Sequence, residues 1–350
     1  MRARLADIAT QAGVSEATVS RVLNDKPGVA AATRQAVLTA LDVLGYERPA
    51  RLRRKPRAGL VGLVTPELDN PIFPIFAQVI ESILAQHGYT PVLCTQTPGG
   101  VTEDEYVEML LERSVSGIVF VSGLHADTTA DPARYHRLLE QGLPIVLING
   151  YVDGLAAPFI SPDEVVAAEL AVAHLVSLGH RRIGLISGPR RYLPVQRRLA
   201  GWRRAMTALL DADPAELDGL VSLSLFGVEG GAAAAAPLLD RGVTGIVCGS
   251  DLMALGAIRA ARQRGLSVPA DLSVVGYDDS PLIAFTDPPL TTVRQPVLAM
   301  AWAAVRALLD EIGGQAAPHS EFVFAPELVV RASTAAAPRG APRPDLVRVG

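Results

Sequence analysis

Between Leu5 and Asn24 the apolar residues fall into two short runs at helical spacing, parted by a single glycine. Leu5, Ile8, Ala9 and Ala12 recur at i, i+3, i+4 and i+7, one face of a helix, and Gly13 supplies the left-handed backbone that ends it. Ser15 predicts the N-cap of a second helix, where its hydroxyl accepts from a free backbone N–H, and Val19, Val22 and Leu23 form that helix's buried face. Two short helices joined by one tight turn make a helix-turn-helix. A third helix is expected from about Ala31 to Leu44, closing the bundle through Val37, Leu38, Leu41 and Leu44 and ended by Gly45.

From Leu60 the period changes. Leu60–Val64, Thr90–Cys94, Gly117–Val121, Pro144–Ile148, Arg182–Ile186, Leu220–Ser224, Gly245–Cys248 and Leu272–Gly276 read as strands, most of them separated by helical stretches. Continuous apolar strands in a βαβ rhythm imply parallel sheets covered on both faces, and the length of the stretch predicts two such sheets in two lobes. The fold class expected is an N-terminal all-α helix-turn-helix domain followed by a bilobed α/β domain.

Composition narrows the function. A chain of 350 residues with 49% hydrophobic content exceeds one compact core and is not a disordered protein. No run approaches the ~20 apolar residues of a membrane span, and the N-terminus has no charged-then-apolar leader, so a cytoplasmic location is expected. Cys94 and Cys248 lie inside apolar strand-like runs and read as core residues, not as a disulfide or metal ligands. No nucleophile elbow, His-Glu-x-x-His, paired-cysteine spacing or phosphate loop is present, so neither enzyme activity nor a cofactor is expected.

Charge is uneven along the chain. Met1 to Ala58 holds 11 Lys or Arg against 5 Asp or Glu, a net of +6; the whole chain carries −4, so the remainder carries −10. The positive end is the one that carries Ser15, Glu16, Ala17, Thr18, Ser20, Arg21 and Asn24 on or beside the outward face of the second helix. Short polar groups bond phosphates and Arg bonds a guanine edge, so this face suits the major groove of a duplex. Arg48, Arg51, Arg53, Arg54, Lys55 and Arg57 crowd the junction that follows, where they are expected to neutralise phosphates.

The string Ala-Gly-Val-Ser-Glu-Ala-Thr-Val-Ser-Arg-Val-Leu-Asn from Ala12 to Asn24, with Thr33-Arg34 and Leu44-Gly45-Tyr46 behind it, resembles the DNA-binding signature of the lactose and galactose repressor (LacI/GalR) family. The resemblance continues in Asn70-Pro-Ile-Phe73, Leu178-Gly-His-Arg-Arg-Ile183, Arg198-Leu-Ala-Gly-Trp202, Gly276-Tyr-Asp278 and Leu290–Pro296, and so spans Leu5 to about Ser333. It implies a helix-turn-helix domain over 1–46, a hinge over 47–58 and a periplasmic-binding-protein-like domain over 59–333. The N-lobe is expected at about 59–155 and 290–320, and the C-lobe at about 156–289 and 321–333. Residues 334–350 have neither periodicity nor an apolar face and are expected to be disordered. In such relatives the hinge helix wedges a leucine into the minor groove. Leu52 is the large apolar residue there, flanked by Arg51, Arg53 and Arg54, but Pro49, Pro56 and a shortened segment depart from the family's pattern. Val29-Ala30-Ala31-Ala32 also departs from it, lacking the Ser that usually caps the third helix, a cap worth about 1 kcal/mol.

The family's effector is implied to sit between the lobes, at the carboxyl ends of the strands. Phe73, Ser122, Asn149, Gly188, Asp251 and Asp278 fall there by the strand reading, and Arg198, Asp278 and Phe226 match positions that in relatives bond or stack on the ligand. Asp251 equally reads as a cap of the next helix, and His180 as a structural turn residue. Asn149-Gly150 replaces the family's frequent Asp-Arg, and Pro162-Asp163-Glu164 departs from Asp-Asn, so the ligand is not to be copied from a relative. The expected function is a homodimeric, sugar-responsive regulator, most often a repressor, on a near-palindromic operator. The alternative is a sugar-binding protein without operator-specific regulation, such as one that delivers a solute to a transporter. The sign of the response to ligand, induction or corepression, stays open at this point.

Overall fold

The computed structural model describes residues 4–23, 26, 28–46, 58–96 and 99–338, and the chain divides into two compact units, Met1–Arg57 and Ala58–Gly350. The first holds helices α1 (Leu5–Ala12), α2 (Glu16–Leu23) and α3 (Ala31–Val43). Gly13 ends α1 at φ 66°, a backbone conformation that a side chain would strain. Ile8, Ala9, Val19, Val22, Val37 and Ala40 meet in the core. Leu38, expected in that core, is 44% exposed. Val37, Ala40, Leu41 and Leu44 hold the i, i+3, i+4, i+7 stripe, and Leu38 is one residue and ~100° away from it. Ala30 leaves α3 without a side-chain cap, as the sequence anticipates.

The second unit runs β1 (Gly59–Thr65), α4 (Ile72–Gln86), β2 (Tyr89–Thr95), α5 (Glu103–Glu112), β3 (Gly117–Val121), α6 (Ala133–Glu140), β4 (Ile145–Ile148) and β5 (Phe159–Pro162). It continues with α7 (Glu164–Ser177), β6 (Ile183–Ser187), α8 (Leu193–Leu210), α9 (Pro214–Leu217), β7 (Val221–Leu223), α10 (Val228–Asp240), β8 (Gly245–Cys248) and α11 (Asp251–Gln263). Then come β9 (Ser273–Asp278), β10 (Thr291–Arg294), α12 (Val297–Ile312), β11 (Glu321–Phe324) and β12 (Glu327–Val329). One sheet has the order β11-β5-β4-β3-β1-β2 and is wholly parallel; the other is β12-β10-β9-β8-β6-β7, parallel except where β12 runs against β10.

Strand alternation sorts the first lobe's core. Val119 and Val121 pack with α4 and α12 on one face of the sheet, while Ile118 and Phe120 pack with α5 and α6 on the other. In the second lobe a Cβ on Gly256 would run into the carbonyl of Val228, so α10 and α11 touch backbone to backbone.

Short strands displace the expected lobe boundaries. β5 and β11 join the first sheet, although residues from 156 and from 321 were assigned to the C-lobe; β10 joins the second, although residues from 290 were assigned to the N-lobe. The chain therefore changes lobe between Pro162 and Glu164, between Arg294 and Val297, and between Phe324 and Glu327. The expected disorder of the tail needs correction over residues 334–338; residues 339–350 lie outside the described residues. Residues 334–338 are tied down: Ala335 N–H donates to Ser273, Ala337 N–H donates to the Leu178 carbonyl, and the Ala335 carbonyl lies 3.0 Å from His180 Nε2. Hydrogen bonds from the tail's backbone to Ser273, His180 and Leu178, invisible to side-chain periodicity, hold them. Among the described residues no helix is long and apolar enough to cross a membrane.

Candidate functional site

The first unit presents one polar helix surface. Ser15 caps α2 by accepting from Thr18 N–H at 3.2 Å, and its hydroxyl lies 3.0 Å from that of Thr18. Glu16, Ala17 and Arg21 are exposed, while Thr18 and Ser20 are half-buried. The surface is held by the Val19 and Val22 face beneath it, so its geometry follows from helical spacing alone. Asn24 and the junction residues Arg51, Leu52, Arg53 and Arg54 lie outside the described residues.

The second unit holds a cavity of about 450 Å³, inside the ~300–1,000 Å³ range of small-molecule sites. Phe73, Ser122, Asn149, Arg198, Phe226 and Asp278 all line it, brought together from β3, β4, β9, α4, α8 and the loop before α10. Asp251 is not part of the wall. Its carboxylate accepts from Ser280 N–H (2.7 Å), Ser280 Oγ (2.8 Å) and Thr292 Oγ1 (2.6 Å), while Ser250 caps α11, so Asp251 ties the β9 and β10 ends to that helix. Gln295, Glu103, Tyr192, Tyr277 and Glu164 line the cavity without having been singled out as effector-binding residues.

Arg198 is the most constrained side chain. Its Nε and Nη2 both donate to Glu164 Oε2, at 2.9 and 2.7 Å, its Nη1 donates to the Gly249 carbonyl at 2.7 Å, and the guanidinium stacks 3.9 Å from the Tyr277 ring centre. Burial works against its charge, but the Glu164 carboxylate, together with the nearby Tyr277 and Asp278, more than offsets this and holds the guanidinium protonated. The ion-pair partner of Arg198 is Glu164, not Asp278. Asp278 Oδ1 accepts from Gln295 Nε2 at 2.7 Å, and burial, followed by the nearby Asp251 carboxyl, raises its pKa well above the usual carboxylate range. Across the cavity Glu103 is buried, accepting from Tyr135 Oη at 2.5 Å and Leu124 N–H at 3.0 Å, and burial raises its pKa too.

The wall is also strained. Ser122, Asn149 and Asp278 sit at φ 49°, 64° and 112°, left-handed conformations that cost ~1–3 kcal/mol each and collect at functional sites. All three follow or end strands and aim short polar side chains across the strand ends. Phe226 needs an equally specific neighbour, since a Cβ on Gly188 would fall inside its ring. Buried acceptors remain unused: Asn149 Oδ1 and Gln295 Oε1 have no hydrogen-bond partner.

The lobes meet at the rim. Thr128 N–H donates to the Arg191 carbonyl at 2.9 Å, Asp127 pairs with Arg191 at 2.7 Å, and Arg197 forks onto Glu321 at 2.5 and 2.8 Å. Arg191 is 49% exposed, so its pair with Asp127 is the weaker tie, whereas Arg197 and Glu321, 27% and 16% exposed, form a bidentate and firmer one. His180 is structural, between Thr244, Ser273 and the Ala335 carbonyl.

Residues 4–49 match the family described as bacterial regulatory proteins, lacI family, and residues 172–334 match a periplasmic binding protein-like domain. The chain is 67% identical to the HTH-type transcriptional regulator MalR of Streptomyces coelicolor, over 98% of this chain and 100% of that one. Among solved structures it is similar to a transcriptional regulator CelR–cellobiose complex (33% identity, TM-score 0.69, 95% of this chain and 100% of that chain). It is also similar to the Lac repressor dimer bound to operator and the anti-inducer ONPF (29% identity, TM-score 0.68, 96% and 100%).

Proposed function

The chain belongs to the lacI family of bacterial transcriptional regulators, and from that premise we propose that it is a homodimer whose α2 helices read a near-palindromic operator under the control of a sugar in the cavity. The observation that carries the sugar reading is the convergence of Phe73, Ser122, Asn149, Arg198, Phe226 and Asp278 on one strained, hydrogen-bonding wall. Aromatic rings with fixed donors and acceptors are what a polyol needs. The names of the relatives agree with it, since one similar structure holds cellobiose. Arg21 and the exposed Glu16 and Ala17 are the base-facing residues, and Ser15, Thr18, Ser20, Asn24 and Arg51–Arg54 the backbone or groove contacts.

Leu282 and Phe285, 76% and 84% exposed after β9, are apolar surface that a second copy would cover. Two-fold pairing would set the half-site spacing. Ligand binding changes the lobe contacts at Asp127–Arg191 and Arg197–Glu321, and this is the route by which occupancy reaches the DNA-binding unit. The test is a gel shift against the DNA upstream of its own gene, with excess non-specific competitor and a panel of mono- and disaccharides. A specific shift that one sugar removes or strengthens supports the reading and gives its sign. A specific shift indifferent to every sugar that calorimetry finds bound overturns the effector role.

A further inference from the structure

Resting on the effector reading above, we infer that the cavity takes an uncharged polyol and rejects phosphorylated and carboxylated sugars, because Glu164 holds Arg198 as an internal ion pair. Arg198 is the one cationic side chain on the described wall, which also carries the acids Glu67, Glu103, Glu164 and Asp278. Its charge is met at 2.7 and 2.9 Å by a carboxylate as buried as itself. Three of its five N–H groups are already spent on Glu164 and Gly249. What remains for a ligand is a fixed pair of donors without uncompensated charge.

The count does not depend on the protonation of the buried acids. With Asp278 and Glu103 taken as protonated, Arg198 and Glu164 cancel and Glu67 leaves the wall negative; with them ionised, it is more so.

Helix ends give the same answer. The N-terminus of a helix attracts an anion through its free N–H groups and dipole. At the wall α5 and α7 each begin with an acid of the chain's own, Glu103 and Glu164. The helices α4 and α8 begin with apolar or proline residues and contribute partial charge only.

Hydrogen-bond chemistry sharpens the choice. The ionised carboxylates of the wall are acceptors, and they require O–H or N–H donors from the ligand. A sugar hydroxyl donates to them and accepts from Arg198 in the same group. A phosphate dianion has no donor to give, and would leave buried acceptors facing like charge.

The experiment is calorimetric titration of the full-length protein with matched pairs: glucose and glucose 6-phosphate, trehalose and trehalose 6-phosphate, maltose and maltose 6′-phosphate. The neutral member of a binding pair is expected to bind at least ~100-fold more tightly than its phosphate ester, a difference set by like charge in a desolvated site. Glu164→Gln, checked for folding by circular dichroism, is expected to shrink that ratio at least ~10-fold, chiefly by admitting the ester to an unbalanced Arg198. The wild-type comparison stands if this variant does not fold. A phosphate ester that binds as tightly as its neutral partner overturns the inference and leaves the sugar-responsive regulator intact. Failure of every compound, neutral or charged, overturns the sugar reading itself and this inference with it.

Discussion

The α2 surface proposed to read DNA and the cavity proposed to hold the effector are built in opposite ways. The α2 surface comes from one stretch of eight residues, Glu16–Leu23, lies open to solvent and uses ordinary helical backbone. The cavity draws residues from segments more than two hundred positions apart, buries Arg198 and Glu164 together and holds Ser122, Asn149 and Asp278 in left-handed conformations. A surface that reads DNA can change residue by residue without disturbing the fold beneath it. A cavity that senses a ligand is part of the core that folds, so its chemistry and its stability cannot be altered separately.

The largest effect expected from this contrast is at Arg198. Arg198→Ala should remove sugar binding and also destabilise the second unit by about 3–5 kcal/mol, since Glu164 would be left buried without its partner. Urea unfolding and calorimetry on one preparation read both losses. Arg21→Ala on the exposed helix should cost about 1–3 kcal/mol of specific DNA binding and change stability by less than ~0.5 kcal/mol. A gel shift beside the same urea titration checks it, and a large stability loss would erase the distinction between the two regions.

A smaller effect sets the pH response of the cavity's neighbourhood. His125 is fully buried; its Nε2–H donates to the Ile148 carbonyl, its Nδ1 has no partner, and burial lowers its pKa to about 4. The folded state therefore holds it neutral, and its contribution is fully present above pH 6.5 and lost as the pH falls from 6.5 towards 4. Between pH 7 and pH 5 the loss is about 2 kcal/mol, and His125→Gln should flatten the stability profile there by that amount. Asp278 and Glu103, raised by burial, act in the other direction, adding stability at low pH that is lost as pH rises. The comparison of variant with wild type cancels them. The smallest effect is a gain. Ala30→Ser should supply the missing α3 cap and stabilise the first unit by about 0.5–1 kcal/mol, read as a rise in its melting temperature with operator specificity unchanged.

How far the sequence carries follows the same division. Ile8, Val19, Gly13 and the Ser15 cap are set by neighbours within a few positions, so periodicity locates them. Leu38 shows the limit even there, since one residue of helical phase separates a core position from an exposed one. In the second unit the apolar strands are legible even where short, as in β4 and β8, whereas β5, β10, β11 and β12 are short and interrupted by Ser, Pro, Thr, Arg or Glu, carry too little pattern, and decide where the chain changes lobe. Resemblance to the family brought Arg198, Phe226 and Asp278 to notice. It did not reveal that Arg198 rests on Glu164, thirty-four positions earlier, or that Asp251 turns towards Ser280 and Thr292, because those pairings exist only once helices and strands have packed. Glu164 itself was visible as a departure from Asp-Asn; its partner was not.

The central claim is that cavity occupancy and DNA binding are coupled within one protein, and coupling is reciprocal. The most direct measurement is the affinity of the full-length protein for its bound sugar with and without saturating operator DNA, set beside the affinity for that DNA with and without saturating sugar. The account predicts one common factor in both ratios, of about 5–150-fold, and its loss in Arg198→Ala. Sugar affinity unchanged by operator, with DNA affinity unchanged by sugar, would contradict it.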